Sequence, residues 1–366
     1  MTVPDLVQDE LRRQGVAGDD LLLCAISGGA DSVSLSAAVH AAGYGRLHLA
    51  WVNHNLRSRE EMRRDSEVVH SLGSHLGVPV LVEEIPEGLV RTHAHSSGQS
   101  IEQVARRFRY NALLRIATRL ARETWSSPED EAVSGRPTVY LLTAHHGDDQ
   151  AETVLSRIAD GHPATVPIAT PVRRELADSP IRVILLRPAL ALEGRVLRQW
   201  GREHGFQWAE DATNQDVSFR RNALRYRVLP PLMETLPDSA RMIARFGTGH
   251  DHLLAAMKAL IPPAAYGRWT STEWQVERAL FRELPHAAQE LVLRDAAYHV
   301  SSSDRVDAGF IGEVLRQLDR PATAGSVVRI SGSDLLCVAT AQSITVRRDI
   351  VPGGQRGYLF PVLPGS

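Results

Sequence analysis

The sequence predicts an α/β fold, a doubly wound parallel sheet followed by a smaller, mainly helical α+β domain. Short apolar segments alternate with helical patterns through the first half of the chain, as in repeated β-then-α units. These segments are apolar throughout, which is typical of parallel strands that helices cover on both faces. From about Phe219 helical patterns dominate, and Ser326–Arg348 then alternates like a short antiparallel sheet.

Each strand predicted in the first half is a short apolar run, and most of the helices follow such a run. The strands are predicted at Leu21–Ile26, Arg46–Asn53, Val78–Glu83, Val139–Ala144 and Ile181–Leu186. The helices are predicted at Ser32–Ala42, from Ser58 onward, and at Ile101–Glu123, Asp148–Ile158 and Leu192–Gly205. Two of the helix starts have capping-box spacing, Ser58 with Glu61 and Ser100 with Gln103.

Length and composition narrow the class of protein. A chain of 366 residues predicts two domains, which we divide near Asp216 into 1–216 and 217–366. No apolar run approaches the roughly 20 residues that cross a bilayer, and the N-terminal segment is polar. We therefore expect a cytoplasmic protein without a membrane partner. The two cysteines, Cys24 and Cys337, are far apart, which argues against a disulfide framework or a cysteine-rich metal centre.

The charged residues bear on which partners the protein can bind. The formal net charge of −2 does not by itself indicate a nucleic-acid partner. Lys258 is the only lysine among 41 basic residues, and it lies near none of the motifs described below. Contacts to phosphate are therefore expected from arginine, backbone amides and metal, and an amine nucleophile would have to come from outside the chain.

A glycine-containing loop follows the first predicted strand. It consists of Ser27-Gly28-Gly29-Ala30-Asp31-Ser32 and leads directly into a helix. Glycine lets the backbone approach an anion closely, and the helix N-terminus directs unpaired N–H groups at it. Asp31 would repel a phosphate unless a divalent cation lay between them, so it is a candidate Mg²⁺ ligand. An ordinary strand–helix turn is the structural alternative.

A run of histidines and acids, His145-His146-Gly147-Asp148-Asp149-Gln150-Ala151-Glu152-Thr153, follows the fourth predicted strand. If the helix begins near His146, then His145, Asp149 and Glu152 share one face. Acidic residues in a first helical turn are also favoured by the helix dipole. A helix cap with solvated acids and a His/Asp metal site are the alternatives to a catalytic face.

Further candidates lie in the long predicted helix, after the second strand and near the domain boundary. Arg106 and Arg109 are three residues apart on the predicted helix Ile101–Glu123, and Asn53-His54 ends the second strand. Near the boundary lie Trp208-Ala209-Glu210-Asp211-Ala212-Thr213-Asn214 and a cationic cluster able to take phosphates. That cluster consists of Arg220, Arg221 and Arg225.

These elements together carry a resemblance to a known family. The SGGxDS loop resembles the pyrophosphate-binding loop of the PP-loop, or N-type, ATP pyrophosphatases. ARxxRY, the HHxDDxxET run, RP, WxEDxxN and RNxxR follow that loop in order, and with them the stretch from Leu21 to about Leu232 resembles tRNA(Ile)-lysidine synthases. In place of the basic-Gly pair and the Gly- and Met-containing loop of that family, this chain has 160–169. That segment and the insertion 126–137 are departures from the family pattern.

The resemblance implies a ligase that adenylates the wobble cytidine of isoleucine tRNA (CAU anticodon) and joins free L-lysine to carbon 2, giving lysidine. It implies catalytic roles for Asp31, Arg106, His145, Asp149 and Glu152. It implies ATP and Mg²⁺ as cofactors, with ATP held by Ser27, Gly28, Gly29, Ala30, Asp31, Ser32, Asn53, His54 and Arg106. The metal would lie on Asp31. Lysine would bind Asp149 and Glu152, and tRNA would bind Arg220, Arg221 and Arg225. A homodimer is compatible with this assignment.

Other functions remain open at this point. A tRNA thiolase of the same fold would need a sulfur-handling cysteine pair, and an amidotransferase-linked synthetase would need a glutamine-hydrolysing partner. A degenerate ATP-binding or RNA-binding protein without ligase activity is the non-enzymatic alternative.

Overall fold

The computed structural model describes residues 1–125, 137–161, 164–178, 181–209, 220–270, 272–301, 308–319, 328–331 and 335–348. The chain forms two compact units. One contains Met1–Ser156 and Thr170–Arg245, and the other contains Arg157–Ala169 and Phe246–Ser366. The boundary predicted near Asp216 falls outside the described residues and stays a prediction.

The first unit is built on a six-stranded sheet. Its strands are β1 (Leu21–Ile26), β2 (Leu47–Asn53), β3 (Val80–Glu84), β4 (Thr138–Leu142), β5 (Arg173–Asp178) and β6 (Arg182–Leu186). Their spatial order is β3-β2-β1-β4-β6-β5. The first five strands of that order are parallel, which confirms the predicted α/β fold with a parallel sheet.

The sixth strand, β5, was not predicted from the sequence. It pairs antiparallel with β6 at the edge of the sheet, with a register shift between Glu175 and Ala177. Its sequence, Arg-Arg-Glu-Leu-Ala-Asp, is mostly charged and lacks the apolar run that marks the other strands. An edge strand needs no apolar residue on every position, because part of it faces solvent.

Helices cover both faces of this sheet. The first unit contains α1 (Val3–Arg13), α2 (Ala30–Ala41), α3 (Arg59–Leu76), α4 (Leu89–Ser97), α5 (Ile101–Thr124), α6 (Gly147–Ala159) and α7 (Gly194–Glu203). Both predicted capping boxes are confirmed. The side chains of Ser58 and Ser100 each accept a hydrogen bond from the backbone amide three positions later, and the side chain of that later residue accepts one from the serine amide. Helices α1 and α4 were not predicted.

The apolar character of the strands follows from burial on both faces. Along β1, Leu22 and Cys24 pack with α2 residues such as Val33, whereas Leu21 and Leu23 pack in a separate cluster. That second cluster includes α5 residues, among them Leu113 and Ile116. Alternate strand residues face opposite sides of a sheet, so a central strand here must be apolar at every position.

The first unit continues after β6 and α7 with an irregular helical segment. This segment consists of α8 (Arg220–Ala223), a π-helical turn (Leu224–Val228) and α9 (Leu229–Thr235). A longer helix, α10 (Ser239–Leu260), follows it. The π-helical turn matters below, because two arginines of this segment reach into the site.

The second unit combines helices with a five-stranded antiparallel sheet of order β7-β8-β11-β10-β9. Its helices are α11 (Pro263–Tyr266), α12 (Arg278–Glu283), α13 (His286–Val300) and α14 (Ala308–Leu318). Its strands are β7 (Arg268–Trp269), β8 (Glu273–Glu277), β9 (Val328–Ser331), β10 (Leu335–Ala339) and β11 (Ser343–Arg348). The last three confirm the antiparallel sheet predicted over Ser326–Arg348. Within the described ranges, no helix is both long and apolar enough to span a bilayer.

Candidate active site

The site of the first unit lies where two neighbouring parallel strands end. Strand β1 leads through the loop Ser27–Gly29 into α2, and β4 leads through Thr143–His146 into α6. Because β1 and β4 are paired and parallel, their carboxyl ends lie side by side, where sheets of this kind bind ligands. The sequence predicted both motifs at strand ends, and the sheet order makes them neighbours.

The glycine-containing loop is held by its own serines. The Ser27 amide donates to Ser32 Oγ (3.1 Å), and Ser32 Oγ donates to the Gly29 carbonyl (2.9 Å). Gly28 has φ of +85°, and a Cβ there would meet the backbone of Asp65 at 3.2 Å. Gly29 caps α2 without a side-chain hydrogen bond, so the first amides of that helix remain available to an anion.

His146 joins this loop to α6, a role that the sequence did not predict. Its ring is 1% exposed, with Nε2 3.4 Å from Asp31 Oδ2 and 3.5 Å from Asp149 Oδ2. Nδ1 lies 3.6 Å from Asp148 Oδ2. Burial disfavours the charged imidazolium, but contact with Asp31 and the negative charges of the three carboxylates outweigh it and raise the pKa of His146. The three carboxylates therefore stabilise the charged form of the buried His146 ring.

Asp31 has a second cationic partner on α7. Arg198 Nη1 donates to Asp31 Oδ1 (2.9 Å). Burial raises the pKa of Asp31, but the His146 contact and the charges of His146 and Arg198 prevail and hold it below its usual value. Nothing in the sequence distinguished Arg198 from the other arginines of its helix. Asp31 is thus an ionised carboxylate at the first turn of α2.

Asp149 and Glu152 lie one helical turn apart on α6 and share two arginines. Arg221 Nη2 donates to Asp149 Oδ1 (2.6 Å), and its Nε donates to Glu152 Oε2 (2.8 Å). Arg225 repeats the pattern, from Nη2 to Asp149 Oδ1 (2.6 Å) and from Nε to Glu152 Oε1 (2.6 Å). The Glu152 side chain is only 1% exposed. These four side chains, Asp149, Glu152, Arg221 and Arg225, are called the carboxylate–arginine quartet below.

The electrostatics of the quartet favour the charged forms of Asp149 and Arg225. Burial opposes the charge on Asp149, but His146, Arg221 and Arg225 outweigh it and keep the pKa of Asp149 well below its usual value. Burial likewise opposes the charge on Arg225, and the two carboxylates overcome it and raise the pKa of Arg225. The quartet is therefore two anions and two cations in charge-assisted hydrogen bonds, with a formal sum of zero.

Comparison with known proteins assigns the first unit to a family. A model of the PP-loop domain matches residues 5–232. The chain belongs to the PP-loop family. Curated relatives named tRNA(Ile)-lysidine synthase include one from Thermus thermophilus, 35% identical over 67% of this chain and 42% of the relative. Another, from Treponema denticola, is 31% identical over 58% of this chain and 41% of the relative.

The matched stretch thus spans less than half the length of these relatives. Among solved structures, the U34-tRNA thiolase NcsA from Methanococcus maripaludis overlaps 69% of this chain and 78% of its own, at 13% identity. The TM-score is 0.48, and this likeness supports no statement about activity.

His145, the first histidine of the PP-loop site, precedes α6, which begins at Gly147. Its Nδ1 is 3.0 Å from Thr143 Oγ1. Burial, reinforced by the positive charge of Arg187, lowers the pKa of His145 below its usual value. His145 is therefore neutral near neutral pH, and it is His146 whose ring lies within 3.5 Å of Asp149.

The remaining predicted residues include Asn53 at the end of β2, His54 directly after it and Arg106 on α5. Asn53 Oδ1 accepts from the Asn55 amide (3.0 Å) at the end of β2, next to the half-buried His54. Arg106 is exposed on α5, and its Nη2 lies 3.4 Å from the hydroxyl of Tyr110.

Arg220 is the third member of the cationic cluster, and its Nη2 donates to the Ser156 carbonyl (3.3 Å). The structure thus directs Arg221 and Arg225, but not Arg220, onto the carboxylates of α6. Glu210, Asp211 and Asn214 fall outside the described residues.

The segment 160–169, which departs from the family pattern, is anchored within the second unit. The amides of Ile168 and Ala169 donate to the Asp251 carboxylate (2.8 and 3.0 Å). Thr165 Oγ1 donates to Glu290 Oε1 (3.0 Å). Carboxylates of α10 and α13 therefore hold Thr165, Ile168 and Ala169.

Proposed function

We propose that this chain is an ATP-dependent ligase that attaches L-lysine to carbon 2 of the wobble cytidine in isoleucine tRNA. One observation carries the proposal. An anion-binding glycine loop and a pair of buried carboxylates lie in one site, connected by His146 between Asp31 and Asp149. Membership of the PP-loop family and the names of the curated relatives support the same activity.

The anion-binding side of the site suits the phosphates of ATP. The amides at the start of α2, with Ser27 and Ser32, can accept the pyrophosphate part of the nucleotide. Arg106 would stabilise charge on the phosphates, and Asn53 and His54 would line the nucleotide pocket. Lys258 belongs to the second unit, so the chain offers no lysine for this purpose in the first.

A Mg²⁺ ion in this site would need phosphate oxygens of the nucleotide as ligands in addition to protein side chains. Within the described ranges no group of three or more potential metal-ligating side chains occurs. Mg²⁺ is commonly held by one or two carboxylates together with substrate phosphates, so Asp31 can serve as the protein ligand. When bound, the ion would neutralise charge on the phosphates. Asp31 would have to share its carboxylate with His146 and Arg198.

The proposed reaction has two steps. The oxygen on carbon 2 of cytidine attacks the α-phosphate of ATP, and pyrophosphate leaves. The ε-amine of lysine then attacks carbon 2, and AMP leaves with the oxygen. Free lysine carries a proton on that nitrogen, with a pKa of about 10.4, so the site must bind a cation and then remove its proton. Asp149 and Glu152 can bind the ammonium and accept the proton.

The tRNA contacts belong to the same proposal. Arg220, Arg221 and Arg225 lie on one short helical segment, and each side chain remains partly accessible to solvent. Arginine binds phosphate bidentately, so this segment suits the tRNA backbone near the target base.

The thiolase alternative is less well supported by the cysteines. Cys24 lies buried in β1 of the first unit and Cys337 lies buried in β10 of the second. Burial raises the pKa of both thiols to about 12. A sulfur-transferring cysteine acts as a thiolate, and these two would remain protonated near neutral pH.

The deciding experiment is mass spectrometry of nucleosides after incubation of the protein with ATP, L-lysine and unmodified isoleucine tRNA. We expect lysidine to appear only when all three are present, with AMP formed alongside it. A tRNA carrying a CAU anticodon but specific for methionine is the matched control. Absence of lysidine together with ATP hydrolysis independent of lysine would contradict the proposal.

A further inference from the structure

The carboxylates proposed to bind lysine are already occupied by cations of the chain itself. All of the quartet's four hydrogen bonds lie between 2.6 and 2.8 Å. Asp149 Oδ1 receives both arginines, and each oxygen of Glu152 receives one. A lysine ammonium would use the same acceptor oxygens, so it competes for them with the two arginines.

Charge leads to the same conclusion as geometry. The quartet sums to zero, and a lysine ammonium added to it would leave a buried excess of positive charge. Uncompensated charge in a buried site is strongly unfavourable. Replacing one arginine by the ammonium keeps the sum at zero. The exchange therefore has a fixed stoichiometry, in which one arginine leaves for each lysine that binds.

Arg221 and Arg225 differ in how readily each could give up its hydrogen bonds to Asp149 and Glu152. The Arg221 side chain is 42% exposed, whereas Arg225 is 29% exposed. Arg225 is also held electrostatically by Asp31, in addition to the two carboxylates of the quartet. When Arg221 leaves, it vacates Oε2 of Glu152 and one of the two bonds to Asp149 Oδ1. These are two acceptors on two carboxylates, which suits a single ammonium group.

We propose that Arg221 is an internal competitor for the lysine site and leaves it when tRNA phosphate offers an alternative partner. This inference rests on the proposed function and adds an order to it, with tRNA binding first and lysine second. Arg221 lies in α8, a helix of only four residues that runs directly into the π-helical turn, where backbone hydrogen bonding is irregular. A phosphate at the rim would exchange one charge-assisted contact for another, so little is lost when the arginine moves.

The test is calorimetric titration of L-lysine into the full chain in the absence of ATP. We expect weak binding to the wild type and at least tenfold tighter binding to Arg221→Gln. Arg227→Gln is the matched control, because it removes the same charge from an exposed position in the π-helical turn that follows α8. It should leave lysine affinity unchanged. N-ε-acetyl-lysine, which lacks the ammonium, should show no gain with Arg221→Gln.

A second experiment measures the effect of tRNA on lysine affinity. Its first comparison uses the wild type and does not depend on the folding of a variant. Saturation with an unmodified isoleucine tRNA transcript should raise the affinity of the wild type for lysine at least tenfold. In Arg221→Gln the same tRNA should produce little further gain. Equal lysine affinity with and without tRNA in the wild type would overturn the proposal, as would equal affinity of wild type and a folded Arg221→Gln.

The two proposals fail in different ways. In one outcome, lysidine forms while lysine affinity is unchanged by tRNA and by Arg221→Gln. That result would support the ligase function and contradict the role of Arg221 as an internal competitor. If lysine affinity rises in Arg221→Gln but no lysidine forms with any tRNA, the site binds a cation as inferred and the ligase function fails.

Discussion

The imidazole of His146 lies in the space that a side chain on Gly194 would occupy. A Cβ built on Gly194 would lie 2.6 Å from Cε1 and 2.8 Å from Nε2 of that ring. Gly194 is the first residue of α7, and its amide lies 3.3 Å from Asp148 Oδ2. The glycine thus lets α7 approach closely enough to seal the buried imidazole among its carboxylates.

Replacing Gly194 by alanine should displace His146 and destabilise the first unit. Overpacking of this kind costs about 1–3 kcal/mol. The comparison is Gly249→Ala within α10, where a Cβ meets nothing within 4 Å among the described residues. That change should be neutral or should stabilise by up to about 1 kcal/mol, because alanine favours helix more than glycine does. Urea denaturation of both variants measures the difference, and equal midpoints would show that the ring relocates freely.

Substituting Asp31 by Asn should abolish ATP turnover and leave the protein folded. The change keeps the shape of the side chain, so core volume is unaffected, but it removes the charge that faces His146 and Arg198. It also removes the carboxylate proposed to ligand Mg²⁺. Release of AMP in the presence of tRNA is the measurement, with circular dichroism to verify folding. Wild-type rates of AMP release would remove Asp31 from the mechanism.

Substituting Glu152 by Gln should weaken the dependence on lysine while partly preserving adenylation of tRNA. Glutamine keeps the size of the side chain but removes one of the two charges that would bind the ammonium. We expect the lysine concentration for half-maximal rate to rise at least tenfold, a change of about 1.4 kcal/mol in binding. Incorporation of labelled lysine across a concentration series tests this. An unchanged concentration dependence would exclude Glu152 from the lysine site.

The stability of the nucleotide-free and metal-free protein should depend on pH through His146 and its carboxylates. The pKa of His146 is raised on folding, so its contribution is complete below about pH 6.5 and is lost as the pH rises through the folded value. The pKa values of Asp31 and Asp149 are lowered, so their contributions are present above about pH 3.9 and are lost below it, through the folded values.

This cluster therefore stabilises the protein most between about pH 4 and 6.5. Urea midpoints measured across that range and up to pH 9 provide the test. In His146→Asn the decline on the alkaline side should be reduced, because the titrating ring is absent. If the variant and the wild type lose stability in parallel as the pH rises, the imidazole is not the group responsible.

The sequence by itself determined the local elements of this protein. Strand β1 is an uninterrupted apolar run because both of its faces are buried, and the Ser58 and Ser100 capping boxes fix the starts of α3 and α5. The loop Ser27–Ser32 and the acidic residues of α6 could also be identified from the sequence. Their chemistry depends on residue types within a few positions of one another, which a linear pattern records.

Only the tertiary structure decided which of these groups meet. Arg198 is 167 residues from Asp31, and Arg221 is 69 residues from Glu152, so no periodic pattern could pair them. The sequence assigned Arg221 and Arg225 to tRNA and the acids to lysine, whereas the fold brings the two sets into one neutral quartet. The His146 ring meets Asp31 because β1 pairs with β4, and that strand order is set by packing of the whole sheet rather than by any local segment.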